Sequence, residues 1–259
     1  MKCPPLKITI LGTGTSSGVP MIACSCAVCT STDSKDKRYR CSILVESSTT
    51  TIVVDTGPDF RSQMLMAGVK KLDAVCITHH HKDHIAGLDD VKAFCYFQEQ
   101  PMTVYATPLT QDAIRREFAY VFDKQKYPGV PDIRLELLTE QPFMIGDIPV
   151  TPIRVWHLRM PVMGFRFGDF TYITDANQIE DDQFDKIKGT HTLVLNALRH
   201  EKHISHFTLN QALEVAEQLD VPDAYFTHIS HQLGKHADVG ATLPLNRYLA
   251  YDGLQLFFP

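Results

Sequence analysis

Four histidines and one aspartate fall within six consecutive positions, His79, His80, His81, Asp83 and His84 of "THHHKDH", directly after the apolar run "AVCI". An extended backbone sends alternate side chains to one side, so His79 and His81 face a common point while His80 points away. Asp83 and His84 follow as the chain turns into the next helix. The segment can therefore supply two ligand pairs to two neighbouring centres, whereas a closed four-ligand site built from it alone is sterically awkward. Whatever fold this chain adopts has to bring residues remote in sequence to the end of that strand.

Three strand candidates end in one pattern: "VCIT" runs into His79, "TYIT" into Asp175 and "AYFT" into His228. Strands of one sheet end along a common edge, where such side chains converge. Alternation and apolar runs predict strands over 7–11, 42–46, 51–55, 72–78, 102–106, 133–138, 148–155, 170–174, 192–196 and 223–227. Helices are expected over 59–68, 85–97, 108–121 and 208–219. In the last, Thr208 caps the first turn, and Leu209, Leu213, Ala216 and Leu219 share a face. The early hairpins break a simple βαβα repeat, so an α/β sandwich of mixed sheets with helices outside fits better than a doubly wound sheet. With 259 residues, 44% of them hydrophobic, and no Gly/Ser/Pro-rich linker, one domain over 1–259 is expected.

"THHHKDH" resembles the H-x-H-x-D-H motif of the metallo-β-lactamase-fold hydrolases, and "VWH", "YITDAN" and "YFTHISH" follow in that family's order. The resemblance covers essentially the whole chain. It implies an αβ/βα sandwich of two mixed sheets with external helices. It also implies one metal held by His79, His81 and His157, a second held by Asp83, His84 and His228, and Asp175 bridging the two. Each centre would keep room for a shared water, as a catalytic site needs. Imidazole and carboxylate donors suit Zn²⁺ and Mn²⁺ alike. Two divalent ions, less two aspartates and a bridging hydroxide, leave roughly +1, the natural complement of a phosphodiester monoanion.

Seven cysteines, an odd number, include Cys24, Cys26 and Cys29 of "CSCAVC" in a loop at 20–32. Three thiolates there suit a metal in a reducing compartment better than a disulfide framework. A tetrahedral structural zinc needs a fourth ligand, and His231, three residues after His228, is the best candidate. This C-x-C-x-x-C insertion, with "LGTGTSSGVP" and "DTGPDFR", is similar to the PhnP-type cyclic-phosphate phosphodiesterases. The pyrroloquinoline quinone biosynthesis B proteins carry a comparable loop.

In PhnP-type enzymes and the related tRNA 3′-processing nucleases, a histidine before a comparable helix contacts phosphate and aids the leaving group. His206 of "SHFT" resembles it, with His203 and His200 as rivals; the chemistry suits an imidazole titrating near working pH. Asp83, also a ligand, and His206 are thus the expected catalytic residues. Asp55 of "DTGPDF" either orients a metal-bound histidine or only organises the turn before Pro58. "GTGTSSG" lacks the spacing of a nucleotide loop and reads as a turn bringing backbone close to the site. "KDKRYR" at 35–40 is either a solvated loop or a phosphate-steering patch.

The expected function is a dinuclear metal phosphodiesterase acting on a small sugar phosphate, cyclic ones included. tRNA 3′-end processing and a non-catalytic or cofactor-pathway metal protein are the alternatives. A net charge of -5 argues against duplex nucleic acid as a partner. The opening "MKCPPLKITIL" has no signal-peptide core and no later stretch approaches a membrane span, so a cytoplasmic protein is expected, with a homodimer left open.

Overall fold

The computed structural model describes residues 3–125 and 127–259; the first two residues of the opening stretch, and Lys126, lie outside it. The amino-terminal half runs β1 (Leu6–Gly12), β2 (Ser42–Glu46), β3 (Thr51–Val54), α1 (Phe60–Ala67), β4 (Ala74–Cys76), α2 (Lys82–Ile85), α3 (Lys92–Gln98), β5 (Met102–Ala106), α4 (Pro108–Glu117) and β6 (Ile133–Leu137). The rest runs β7 (Phe143–Ile145), β8 (Ile148–His157), β9 (Met160–Phe167), β10 (Phe170–Ile173), β11 (Gln178–Ile179), α5 (Asp181–Ile187), β12 (Thr192–Asn196), α6 (Leu209–Gln218), β13 (Asp223–Thr227), α7 (His236–Gly240), β14 (Arg247–Leu249) and β15 (Gln255–Phe258).

Two mixed sheets result. The first has the order β15-β1-β2-β3-β4-β5-β6, and the second β11-β8-β9-β10-β12-β13-β14 with β7 beside β8. In the first, β3 to β6 pair in parallel after the β1-β2-β3 antiparallel meander. In the second, β10, β12, β13 and β14 are parallel.

Strand alternation divides the core into three layers. Ile43, Val45, Ile52, Val54, Val194 and Tyr172 fill the space between the sheets. Leu44, Val53 and Val75, on the opposite faces, meet Phe60 of α1, Phe94 of α3 and Ile114 of α4. Leu193 and Leu195 meet Ile187 of α5 and Leu209, Ala212 and Ala216 of α6. Strands covered on both faces read as near-continuous apolar runs, which is why those in the parallel sections stand out in the sequence. The result is the expected αβ/βα sandwich.

Helix α6 begins as expected: Thr208 accepts from the Gln211 N–H, and the Gln211 side chain accepts from the Thr208 N–H, a full capping box. The expected 85–97 helix is broken instead into α2, a 3-10 turn at Leu88–Val91 and α3. There the Gly87 N–H leaves the helix path to donate to Thr56 O. The expected 108–121 helix stops at Glu117 and passes into a 3-10 turn.

Strand β9, unforeseen, forms a tight hairpin with β8 lacking the Asn-Gly or Gly signal such turns usually carry. The apolar run "LQLFF" contains the edge strand β15 paired to β1, with Phe257 exposed. The "KDKRYR" segment is only in part a solvated loop: Lys35, Lys37 and Tyr39 are exposed, but Arg38 is buried, donating to Thr13 Oγ1 and Ala250 O, and Arg40 pairs with Asp59. Among the described residues no helix is long and apolar enough to cross a membrane.

Candidate metal centre

The three strand ends singled out by the strand–threonine–ligand pattern do meet, but they come from two sheets: β4 belongs to the first, β10 and β13 to the second. The site therefore lies where the ends of two packed sheets face each other, and single-sheet convergence is not the arrangement. Asp55, Asp175 and His228, each just past a strand end, have φ of 66°, 55° and 57°. Left-handed backbone at non-glycine residues is costly and concentrates at functional sites. The Asp175 turn is held by Asn196, whose side chain accepts from the Ala176 N–H and donates to Ala176 O.

The histidine rings are oriented through their outward nitrogens. His84 Nδ1 lies 2.7 Å from Asp55 Oδ2, and Asp55 also accepts from the Thr78 N–H at 2.8 Å and the Thr78 hydroxyl. The same hydroxyl contacts His79 Nδ1 at 3.0 Å. Asp55 thus positions two histidines, one directly and one through Thr78, and its role is more than that of a turn former. His157 Nδ1 donates to Ser205 O at 2.9 Å. Thr78 is the threonine of the strand-end pattern, which gave it no role of its own, and Ser205 carried no signal because only its carbonyl acts.

The "DTGPD" turn lies flat on the ligand helix: Thr56 N–H donates to His84 O, and Gly87 N–H to Thr56 O. A β-carbon at Gly57 would strike the carbonyl of Asp83. The residue is glycine because two backbones must touch there. The 12–18 loop likewise serves as backbone support, with Ile229 N–H donating to Thr13 O beside His228.

With the outer nitrogens engaged, the inner ones converge. Donor atoms of His79, His84 and Asp175 lie within 4.8 Å of one another, as do those of His157, Asp175 and His206. Asp175 is common to both groups, the position a bridging carboxylate occupies. These groups cut across the ligand partition implied by the resemblance, since His84 joins His79 and His206 joins His157. Asp83 lies 3.2 Å from His84 Nε2, and His228 Nδ1 lies 3.1 Å from Asp175 Oδ2. His81 sits between His79 and His157, with ring centroids 4.6 and 5.2 Å away. Nε2 of His79 and of His84, and Nδ1 of His206, are buried without a hydrogen-bond partner. Orphaned imidazole nitrogens next to carboxylates are what a divalent cation requires, so this donor set fits a metal.

Of the three candidates for proton donor, His206 alone lies over the centre: its ring stacks on His228 at 4.6 Å and its Nδ1 is 3.9 Å from Asp175 Oδ1. His203 is one ring further out, 5.1 Å from His206, and His200 is exposed. His80 joins neither donor group.

Electrostatics separate the histidines into two kinds. Burial works against charge on His84, but Asp55, Asp175 and Asp83 outweigh it and raise the pKa well above the ordinary value. His228 is raised to about 10, Asp175 overcoming burial. Asp175, despite burial, is held well below the usual carboxylate range by His228 and His84. Burial lowers His79 far below its ordinary value and takes His206 down to about 2, with His228 adding to the effect. Protons on His84 and His228 balance the carboxylates in the metal-free protein, and a divalent ion replaces that charge by displacing them.

A second donor set stands beside the first. Sγ of Cys24, Cys26 and Cys29 and a ring nitrogen of His231 lie within 4.8 Å of one another. His231 Nδ1 is 3.4 Å from Cys24 Sγ and 3.3 Å from Cys26 Sγ. Backbone N–H groups of Met21 and Cys29 donate to Cys29 and Cys26 sulfur. Hydrogen bonding to His231, then to Cys29 N–H, lowers the Cys26 thiol to about 6, while burial raises Cys29 to about 11. Three sulfurs and one imidazole make up the four donors of a tetrahedral zinc.

Residues 50–229 match the family model described as the beta-lactamase superfamily domain. A diphosphatase of the PhnP family superposes with a TM-score of 0.92 at 37% identity, over 98% of this chain and 97% of that one. An octanoyltransferase of Porphyromonas gingivalis is 39% identical over 253 residues, 96% of this chain but 51% of that protein, so the chain spans about half of that relative's length. Zn²⁺-bound PqqB from Methylobacterium extorquens shares the fold, with a TM-score of 0.75 at 20% identity over 96% of this chain and 99% of that one.

Proposed function

This chain belongs to the beta-lactamase superfamily, in its PhnP-type branch, and on that premise we propose that it is a two-metal hydrolase cleaving a phosphodiester-type linkage in a small molecule. The observation that carries the reading is the position of Asp175, shared by two donor groups, with His206 stacked over the same carboxylate. The diphosphatase activity named for the PhnP-family relative supports phosphorus as the reacting centre. Octanoyl transfer is not carried over, because half of the protein bearing that name has no counterpart here.

Zn²⁺ or Mn²⁺ pairs would be held by His79, His81, His157, Asp83, His84, His228 and Asp175, and a separate structural Zn²⁺ by Cys24, Cys26, Cys29 and His231. Divalent ions at the first site supply Lewis acidity toward phosphoryl oxygens and lower the pKa of water. The chain's own residues do the rest. Asp55 and Ser205 O hold His84 and His157 in one ring orientation, so the donors need no reorganisation during the reaction. Asp83, on the helix beneath, presents its carboxylate to the reacting face beside His84.

His206 faces a bound phosphoryl group and gives its proton to the departing oxygen. An anion seated against this ring reverses the burial effect that keeps it neutral in the free protein.

The test is turnover of bis(4-nitrophenyl) phosphate and of ribose 1,2-cyclic phosphate by protein loaded with Zn²⁺ or Mn²⁺ and assayed for metal content. Activity on either, abolished by chelation, supports the reading. A fully loaded protein inert toward both, and toward a panel of diphosphates, ends it.

A further inference from the structure

A cleft of about 400 Å³ opens beside His81 and His157, and its outer wall is the turn between β8 and β9. His157 pairs with Met160, so Leu158 and Arg159 alone form this turn. Leu158 has φ of 59°, a backbone state unfavourable for an aliphatic residue. It is kept there by Asn177, whose side chain accepts from the Leu158 N–H at 2.6 Å while the Asn177 backbone N–H donates to Trp156 O at 2.8 Å. Asn177 lies two residues after Asp175. The turn is therefore fastened to the segment that carries the shared carboxylate, and Arg159 is presented at a set offset from the metal donors.

Leu158, Met160 and Ile204 line the cleft around Arg159, and Leu158 and Ile204 are largely exposed. Such walls cannot solvate an anion. Arg159 is exposed and makes no hydrogen bond or ion pair among the described residues, whereas Arg154 of β8 is paired with Glu140 and Glu180. A strained, fastened turn thus holds an unpaired guanidinium in an apolar cleft next to a metal-donor cluster. The first phosphoryl group offsets the roughly +1 of the loaded centre, so a second negative charge on the substrate needs its own cation. A guanidinium fits phosphoryl oxygens in a forked geometry.

We infer that Arg159 is a specificity-determining residue that binds a second phosphoryl group, making the preferred substrate a diphosphate diester. This rests on the hydrolase reading above. Water adds to the phosphorus at the metal donors, the bond from that phosphorus to the bridging oxygen breaks, and the bridging oxygen departs with the electron pair on the second phosphoryl group, taking the proton of His206. One proton of the water restores His206. Arg159 stands where the departing charge grows.

The test compares metal-loaded wild type, Arg159→Ala and Arg159→Lys on UDP-glucose and ADP-ribose against bis(4-nitrophenyl) phosphate, with kcat and KM separated. Arg159→Ala should lower the ratio of kcat/KM for the diphosphates over that for the simple diester by roughly tenfold. The loss should fall mainly in KM, and Lys should restore part of it. An unchanged ratio, or a wild type that cleaves the simple diester and neither diphosphate, overturns the assignment while leaving the hydrolase reading standing. A wild type inert on all three probes overturns the assignment, and removes the hydrolase reading as well if ribose 1,2-cyclic phosphate is also left intact.

Discussion

Asp55 Oδ2 and His84 Nδ1 lie 2.7 Å apart with both side chains fully buried, so the carboxylate fixes which nitrogen of His84 faces the centre. Replacing Asp55 with Ala frees that ring and leaves the Thr78 N–H without an acceptor. Affinity for the metal nearest His84 should fall by about 10–100-fold, and stability by roughly 1–3 kcal/mol. Competitive metal titration and denaturant unfolding measure the two effects. Wild-type metal affinity in Asp55→Ala would show that His84 is positioned by something else.

Asp175→Ala removes the one carboxylate shared by both donor groups, taking from His228 the carboxylate 3.1 Å away and from His84 one of the three carboxylates around it. Turnover should vanish and metal at the histidine centre should fall toward zero, while about one zinc per chain stays with the cysteines. Elemental analysis of the purified variant distinguishes this from general misfolding. Full metal content with lost activity would reduce Asp175 to a catalytic group without a ligand role.

The residues that converge at the centre were mostly legible because metal coordination accepts few side-chain types, and histidine clusters rarely arise from packing alone. Strands at Ser42–Glu46, Met102–Ala106, Thr192–Asn196 and Asp223–Thr227 were legible to the residue, being short apolar runs bounded by polar turns. What escaped depends on tertiary placement. Strand β9 carries Pro161 and Gly164 in its interior, and its turn uses Leu158 in a state that only the distant Asn177 makes tolerable. Arg38 sits in a run of charges that looks solvated, yet the fold buries it against Thr13 and Ala250. The fact that two sheets supply the ligand-bearing strand ends is a property of topology, invisible in any one strand.

Cys26 lies within 3.3 Å of His231 Nδ1 and accepts from the Cys29 N–H. Cys26→Ala leaves three donors where a closed tetrahedral site needs four, so its cost should fall on folding and spare the chemistry. A Tm lower by roughly 5–10 °C is expected, with kcat on a phosphodiester within about twofold of wild type at a temperature where both are folded. Chelator should lower the wild-type Tm toward that of the variant. Equal Tm values with and without chelator in both proteins would argue against a structural metal at the cysteine loop.

Acid stability turns in part on a half-buried histidine outside both donor sets. His236 Nδ1 accepts from Arg38 Nη2 at 3.1 Å, and the His236 backbone N–H donates to Asp36 Oδ1. Burial, then Arg38 and Lys35, lower its pKa from 6.5 to about 4, against smaller opposing contributions from Asp33 and Asp36. A histidine depressed on folding contributes stability that is fully present above pH 6.5 and is lost as pH falls through about 4, because the unfolded chain takes up the proton first. Asp252, which accepts from Thr13 Oγ1 and Tyr39 N–H, has the opposite sign: burial raises it from 3.8 to about 6, so its contribution is present below 3.8 and lost as pH rises through about 6. The two offset one another between pH 6 and 4, and single variants separate them. His236→Gln should lose less stability than wild type between pH 7 and 5, by on the order of 1 kcal/mol once screening at this half-buried ring is counted. Asp252→Asn should lose more than wild type over the same interval. Urea unfolding at the two pH values measures both differences, and protonation of the metal-ligand sets cancels in the comparison with wild type. Parallel pH profiles for all three proteins would mean that neither group couples protonation to folding.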